Sequence, residues 1–265
     1  MTAPPVPCLL ALDTASERML LAVVAGSAHH TLQADGGAQA SAALLPALQA
    51  LLRDAGLAMQ ALDAIAFGRG PGAFTGLRTS CAVAQGLALG LNLPVLPIDS
   101  LLIGAEDARA QHAGAGVFDV TVAVDARMAQ AYVARYVWDG RRWHTRAEPA
   151  LWDITDLQSA WRDAPPPAVA GNALEAFAER LLLSAATLRC DAPCDRAAAL
   201  ARLALLAWQQ GEALDAALAL PLYVRDKVAF TTQEREQQRH ARQDVHAQAP
   251  AEAPPQAQTK AEPAR

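Results

Sequence analysis

The stretch Gly70-Pro71-Gly72-Ala73-Phe74-Thr75-Gly76-Leu77-Arg78 constrains the fold more than any other part of the chain. It follows the apolar run Ala64-Ile65-Ala66-Phe67 and precedes a long pattern of small residues, so it joins a predicted strand to a predicted helix. Three glycines and a proline within seven residues indicate a chain reversal that needs unusual backbone angles and close approach. We therefore expect an α/β unit here, with Thr75 as the N-cap of the helix.

Two interpretations of these glycines are open. The free amides at a helix start bind anions, which makes Gly72, Thr75 and Gly76 candidates for phosphate contact. Alternatively, the glycines only let the strand and the helix pack closely together. The turn lacks the Lys-Ser/Thr ending of a P-loop and the GxGxxG pattern of a dinucleotide site, which favours the packing interpretation.

Composition limits the classes of partner. The chain has 265 residues, 52% of them hydrophobic, with a formal net charge of -5 and a pI of about 5.7. A chain of this length can build a full core, but it lacks the basic balance of a nucleic-acid-binding surface. If RNA is the final substrate, we expect a partner protein to hold it. Four cysteines without a secretory signal and without a membrane-length apolar run predict a cytoplasmic location.

The order of elements predicts two linked α/β lobes. A strand pair over residues 8–14 and 18–25, a strand at 30–34 and a helix at 41–52 precede the glycine turn. Further along, the pattern predicts strands at 95–98, 117–124, 131–138 and 168–170, and helices at 173–183 and 197–209, with Ser41 and Ser100 as helix caps. Residues 233–265 are rich in Gln, Ala, Pro and charge, and we expect them to be disordered.

The helix after the glycine turn carries small residues four apart, at Ala82, Gly86 and Gly90. Glycine inside a helix costs about 1 kcal/mol relative to alanine, so another backbone is expected to approach this face closely. That backbone belongs either to the protein's own sheet or to a helix of another subunit. Spacing alone does not choose between them.

Several motifs together resemble the TsaB (YeaZ) family, the dimerization subunit of the bacterial machinery that makes threonylcarbamoyladenosine in tRNA. The glycine turn is similar to the family's GPGSFTGLR signature, with Ala73 in place of Ser. Five further segments match in order: residues 9–15, where Ala15 replaces a second Ser; Leu44-Leu45-Pro46; Asp125-Ala126-Arg127 with Tyr132; Gly171-Asn172; and Pro221-Leu222-Tyr223-Val224-Arg225. The match spans roughly residues 8–232.

The resemblance implies an actin-like ATPase (ASKHA) fold. It divides the chain into a first lobe over 1–104, a second lobe over 105–232, whose late helices partly pack back on the first, and a tail over 233–265. It further implies a non-catalytic subunit that binds and activates the TsaD transferase, meets the TsaE ATPase through the complex, forms a homodimer when alone and contacts tRNA indirectly. The expected contact residues lie on two helices: Leu44, Leu48, Leu52, Ala82, Gly86 and Gly90. No cofactor is required by this chain, and ATP and metal are expected on the partner subunits.

The resemblance also points to Asp13 and Thr14 as possible phosphate contacts, because actin-like ATPases place an Asp on the first hairpin. A structural Asp that caps its own turn is the alternative. TsaD holds its metal with two histidines four apart, whereas the corresponding segment here, 39–43, has none. None of the six histidines forms an HxxxH or HExxH pair, and no nucleophile elbow is present. Arg78 and Arg127 are expected to be salt-bridged, although Arg78 is also a candidate for contact with a phosphate or with a carboxylate of a partner.

An enzyme is the alternative function. It would be an actin-fold ATPase or kinase that uses Asp13, Thr14 and the glycine turn for phosphates, or a metallopeptidase-like protein, for which the ligands are missing. A plain homodimer with another role is a third possibility.

Overall fold

The chain folds into two mixed five-stranded sheets with helices packed on them. The computed structural model describes residues 7–26, 28–37, 40–112, 116–190 and 192–225. The strands are β1 (Cys8–Asp13), β2 (Arg18–Ala25), β3 (Ala28–Asp35), β4 (Ala64–Gly70), β5 (Val95–Asp99), β6 (Phe118–Asp125), β7 (Gln130–Trp138), β8 (Trp143–Asp153), β9 (Ala168–Ala170) and β10 (Leu188–Cys190). The helices are α1 (Ala40–Asp54), α2 (Phe74–Leu91), α3 (Ser100–His112), α4 (Ile154–Asp163), α5 (Ala173–Ala176) and α6 (Arg196–Gln209).

The two sheets share one topology. The first has the order β3-β2-β1-β4-β5, in which β1, β2 and β3 are antiparallel neighbours and β4 and β5 run parallel to β1. The second has the order β8-β7-β6-β9-β10, with the same pattern of directions. The predicted α/β class with two linked lobes is confirmed. The exact residues at which the lobes begin and end stay a prediction.

Helices cover both faces of the first sheet. One cluster of core residues joins β1, β2 and β4 to α1 and α2, and a second joins the opposite face of the same strands to α6. Strands that are covered on both faces consist mostly of consecutive apolar residues, and β1 and β4 show this pattern. The inner faces of α1 and α2 are therefore used for the chain's own core, and only their outer faces are accessible.

A buried carboxylate fastens α3 to α6 and to the second sheet. Glu106 on α3 is 3% exposed and accepts hydrogen bonds from Arg202 on α6 at 2.6 Å, from Arg109 at 2.8 Å and from the Trp143 indole at 3.1 Å. Burial alone would raise the pKa of Glu106, but the hydrogen bonds from the two guanidinium groups outweigh it and lower that pKa. This contact fixes the two lobes around α3 and α6.

Several local predictions need correction. Ser100 is the first residue of α3 rather than its cap, because its hydroxyl is engaged with groups outside the helix, while the Asp99 side chain accepts a hydrogen bond from the Leu101 amide at 2.9 Å. Ser41 lies inside α1. The helix predicted at 173–183 ends at Ala176, and β10 and α4 were missed. The predicted tail, 233–265, lies outside the described residues.

Within the described ranges, none of the helices combines the length and the hydropathy that crossing a bilayer requires.

Candidate functional site

The glycine turn between β4 and α2 packs directly onto the hairpin between β1 and β2. A Cβ on Gly76 would overlap the Thr14 carbonyl oxygen, and a Cβ on Gly72 would overlap the Ala15 carbonyl oxygen. The Ala73 amide donates to the Ala15 carbonyl at 2.7 Å, so protein oxygen occupies the anion-binding direction of the turn. The glycines are required by backbone-to-backbone contact, and the space where a phosphate would sit is filled by the hairpin.

Asp13 is a buried structural carboxylate. It is 1% exposed; its Oδ2 accepts a hydrogen bond from the Ser100 hydroxyl at 2.6 Å, and its Oδ1 accepts one from the Ala15 amide at 2.6 Å. The Ser100 hydroxyl oxygen in turn accepts the Gly70 amide at 3.0 Å. Burial raises the pKa of Asp13, and these hydrogen bonds together with the Arg196 charge act against that rise. Asp13 thus ties β1, the glycine turn and α3 together.

The polar groups of Thr14 are also hydrogen-bonded within the protein. Its amide donates to the Ser80 hydroxyl at 2.8 Å, its hydroxyl donates to the Gly76 carbonyl at 2.8 Å, and the two hydroxyls lie 2.8 Å apart. Thr14 is 2% exposed. Its polar groups hold α2 against the hairpin and are not presented to a ligand.

The structure therefore brings Asp13, Thr14, Gly72 and Gly76 together but does not form a phosphate site from them. Thr75 lies apart, exposed in the first turn of α2. Its predicted cap role is wrong, because the helix begins at Phe74 and its N-cap is Ala73, two residues before Thr75. Asp13, Thr14, Gly72 and Gly76 do not fit a phosphate group, since their polar atoms or their space are already used by the chain. The phosphate contact predicted for Thr75 stays a prediction.

The closing motif of the chain packs beside the glycine turn. The Leu222 amide donates to the Arg69 carbonyl at 2.6 Å, and the Tyr223 ring lies 5.4 Å from the ring of Phe74. The Arg78 guanidinium stacks 3.9 Å above the Phe74 ring and donates to the Tyr223 hydroxyl at 3.2 Å. Among the described residues Arg78 has aromatic contacts instead of the expected salt bridge, and two motifs far apart in sequence form one cluster.

Arg127 joins the two lobes as an ion-paired residue, as expected. Its guanidinium lies 2.8 Å from Glu17 on the β1–β2 hairpin and 3.4 Å from Asp125. The Arg225 side chain donates to the Ala126 carbonyl at 2.8 Å from the closing motif. These contacts place the Asp125-Ala126-Arg127 segment between the β1–β2 hairpin and the closing motif.

The outer face of α2, unlike its first turn, is not packed against the rest of the described chain. Ala82, Gly86 and Gly90 are exposed, and a Cβ added at Gly86 or Gly90 would meet no described atom within 4 Å. The neighbouring Leu89 is 59% exposed. The chain's own packing therefore does not require these two glycines, in contrast to Gly72 and Gly76.

The leucines predicted at the interface face inward. Leu44 and Leu48 are 0% exposed and Leu52 is 3% exposed, because they form the core between α1 and the first sheet. The expected direct contact of these three leucines with a partner is wrong, since side chains with almost no accessible area cannot touch another chain. Leu45 is a large apolar side chain that is accessible on α1, at 43% exposed.

Acidic, sulfur and imidazole side chains do not gather into a metal-sized group: the described residues contain no cluster of three or more His, Cys, Asp or Glu side chains placed to hold an ion.

Comparison with known proteins decides the family. A family model described as "TsaD: tRNA N6-adenosine threonylcarbamoyltransferase" matches residues 34–180. The solved structure "YeaZ from Pseudomonas aeruginosa" is 35% identical with a TM-score of 0.70, over 82% of this chain and 99% of that chain. The chain belongs to the TsaB/YeaZ family. The actin-like ATPase fold that the sequence resemblance implied is confirmed by this likeness and by the repeated strand order.

Proteins that are named TsaB match a shorter part of this chain. "tRNA threonylcarbamoyladenosine biosynthesis protein TsaB" of Haemophilus influenzae is 38% identical over 129 residues, which is 49% of this chain and 53% of the relative. The protein of the same name from Escherichia coli is 34% identical over 152 residues, which is 54% of this chain and 63% of the relative. The match thus spans less than two thirds of these TsaB relatives.

Proposed function

We propose that this chain is a non-catalytic subunit that binds a TsaD-type transferase and activates it for threonylcarbamoyladenosine modification of tRNA in the cytoplasm. Membership of the TsaB/YeaZ family supports the pathway, because the matching TsaB relatives are named as biosynthesis proteins of that nucleoside. The structure bears on how the subunit works, through the accessible face of α2.

The observation that carries the proposal is the open space beside Gly86 and Gly90. Each glycine lowers helix stability by about 1 kcal/mol relative to alanine. Neither is needed for the chain's own packing. A helix of another subunit that packs closely against this face would explain both glycines, because the absence of side chains lets two backbones come together.

The partner's likeness to this chain favours a helix-to-helix contact. The transferase family model covers residues 34–180, a range that includes α1 and α2. Equivalent helices of two related chains can pack about a pseudo-twofold axis, as identical surfaces do in dimers. A four-helix contact of standard size buries about 1,600 Å² in total. The same face serves for a homodimer when the partner is absent, and the TsaE-type ATPase and tRNA meet the chain through the complex.

An ATPase or kinase is less compatible with the geometry. The buried Asp13 already accepts two hydrogen bonds, and the glycine turn is filled by the hairpin carbonyls. Measurement of ATP turnover by the isolated chain tests this alternative, and turnover abolished by Asp13→Asn would support it.

Binding to the TsaD-type subunit of the same organism tests the proposal. We expect Gly86→Arg to abolish binding in a calorimetric titration, because a long charged side chain would stand where the partner's backbone approaches. The folded state should be unaffected, since the position is open in the isolated chain. Circular dichroism and the thermal midpoint of each variant report on the fold.

Ser159→Arg is the matched control. Ser159 is exposed on α4 of the second lobe, so the same charge is added to a helix surface away from α2. Binding that survives Gly86→Arg, or that is lost equally with Ser159→Arg, would overturn the proposed surface.

A further inference from the structure

Residues 214–220 form a segment that leads into the closing motif and packs against α2. At the start of this segment, the Leu214 amide donates to the Val95 carbonyl at 2.8 Å, and the Val95 amide donates to the Leu214 carbonyl at 2.9 Å. Two residues after its end, the Leu222 amide donates to the Arg69 carbonyl at 2.6 Å. Both ends are therefore fixed to strands of the first sheet, so the segment is held in place before any partner binds.

Side chains of α2 hold the middle of the 214–220 segment. The Gln85 side-chain amide donates to the Ala216 carbonyl at 3.0 Å, and the Cys81 thiol donates to the Ala219 carbonyl at 3.4 Å. Ala216 and Ala219 belong to the same buried cluster as the inner face of α2. The residue that follows each of the two helical positions is exposed, so the segment borders the outer face of α2.

Two leucines of the 214–220 segment are directed away from the core. Leu218 is 62% exposed and Leu220 is 72% exposed, although the alanines between and beside them are buried or closely packed. Leu89 on α2 adds a third large apolar side chain that solvent reaches. Contiguous exposed apolar patches mark contact surfaces, so we expect another protein to cover these leucines.

The elements around these leucines carry no charged residue on either face. Residues 40–52 of α1, 79–91 of α2 and 216–220 contain no Asp, Glu, Lys or Arg. A helix on the surface of a monomer carries charged and polar residues on its solvent face. The core of a protein–protein interface, by contrast, is depleted of charged residues. The composition of this surface therefore favours contact with a protein over contact with water.

The size of the surface also indicates that the 214–220 segment takes part. Eight residues of α1 and six of α2 are exposed within the part of the chain that the structure describes. A standard interface takes roughly 20 to 30 residues from each side. The two helices alone do not reach that number, and the segment adds five exposed residues directly beside them.

We propose that the contact with the TsaD-type transferase extends onto the 214–220 segment, where Leu218 and Leu220 pack against apolar side chains of the partner. This inference rests on the proposed function, from which it takes the partner. The segment lies beyond residues 34–180, the range that the transferase family model matches, so it adds a contact that the shared helices do not supply. The glycines of α2 let backbones approach, and the segment contributes the large apolar side chains that the glycines lack.

Calorimetric titration of the full chain with the TsaD-type subunit of the same organism tests this extension. Leu218→Asp and Leu220→Asp should each weaken binding about tenfold or more, because a charge would be buried in an apolar contact. Both positions are exposed, so the thermal midpoints should match that of the wild type. Leu182→Asp is the matched control, since Leu182 is 64% exposed in the second lobe and should leave the affinity unchanged.

A second readout reports on the apolar character of the contact. Leu218→Ala should make the heat-capacity change of binding less negative than that of the wild type, because less apolar surface leaves water. Titrations at several temperatures measure this change. A heat-capacity change that stays the same would contradict burial of Leu218 in the complex.

The outcomes separate this inference from the proposed function. Loss of binding with Gly86→Arg but wild-type affinity of both leucine variants overturns only the extension, whereas a wild type that does not bind overturns both. Equal weakening by Leu182→Asp would also overturn the extension. So would leucine variants that impair self-association in analytical ultracentrifugation but bind the transferase normally, because the segment would then belong to a homodimer contact.

Discussion

Gly76 shows how the absence of one side chain determines the packing of the glycine turn. Its missing side chain lets α2 lie against the Thr14 carbonyl, and the Thr14 hydroxyl donates back to the Gly76 carbonyl at 2.8 Å. Gly86 lies ten residues further along the same helix with open space where its side chain would be. One helix thus holds one glycine that the fold requires and one that it does not.

Replacing each of these glycines by alanine should give opposite results. Gly76→Ala should lower the free energy of unfolding by about 1–3 kcal/mol or more, because the added methyl overlaps backbone. Gly86→Ala should raise it by up to about 1 kcal/mol through helix propensity. Urea midpoints at unchanged m-value measure both, and a Gly76→Ala protein as stable as the wild type would show that the hairpin contact is not tight.

Asp13 should give stability an unusual pH dependence. Its pKa in the folded state is raised by burial above the ordinary value of 3.8. The neutral carboxyl is therefore favoured in the fold, and its stabilisation is fully present below the unfolded pKa and lost as pH rises through the folded pKa. The free energy of unfolding of the wild type minus that of Asp13→Asn should fall over this window. A difference that rises with pH would contradict the assignment.

The roles of individual residues can be predicted only partly from the sequence. The choice of packing over a phosphate cradle was favoured by the missing P-loop ending, and the overlap of Gly72 and Gly76 with the hairpin carbonyls agrees with it. The roles of Ser100 and Ala73 were missed, because both depend on Asp13 and Ala15, which are distant in the chain. Local cap rules cannot anticipate a serine that is recruited by a remote carboxylate.

At the level of elements, α1 and α2 each have a core face and an accessible face, and the difference matters for choosing variants. Leu48→Asp would place a charge in the core of the first sheet and unfold the chain, so it cannot report on a partner. Gly86→Arg avoids this problem. The helical period gave the apolar stripe of α1 correctly, but a period does not say whether the stripe meets its own sheet or another protein.

The contact between α3 and α6 should depend on Glu106. Glu106→Ala should lower the free energy of unfolding by about 3 kcal/mol, because it leaves the Arg109 and Arg202 charges without their buried partner. The lowered pKa of Glu106 means that this stabilisation is present above the unfolded pKa of 4.5 and is lost as pH falls through the folded pKa. Chemical denaturation at neutral and acidic pH measures both effects.

Two outcomes would contradict this role of Glu106. The first is a Glu106→Ala protein as stable as the wild type at neutral pH. The second is a difference in unfolding free energy between the two proteins that does not shrink on acidification.

For the whole molecule, the repeated strand order gives two sheets joined by the α3–α6 contact. The Asp125-Ala126-Arg127 segment links the β1–β2 hairpin to the closing motif. The α/β class followed from the sequence, since strand and helix patterns alternate along the chain. The internal repeat did not, because β10 is only three residues long and leaves little trace in the pattern. The central hypothesis about this molecule is that the accessible face of α2, rather than a phosphate site at Asp13 and the glycine turn, performs its function.

Complementation tests that claim most directly. A strain that lacks its own TsaB-type protein receives this chain, and threonylcarbamoyladenosine in its tRNA is measured by mass spectrometry. We expect the wild type, Ser159→Arg and Asp13→Asn to restore the nucleoside and Gly86→Arg to fail, with all four proteins folded. Restoration by Gly86→Arg would contradict the role of the outer face of α2, and loss with a folded Asp13→Asn would contradict the purely structural role of Asp13.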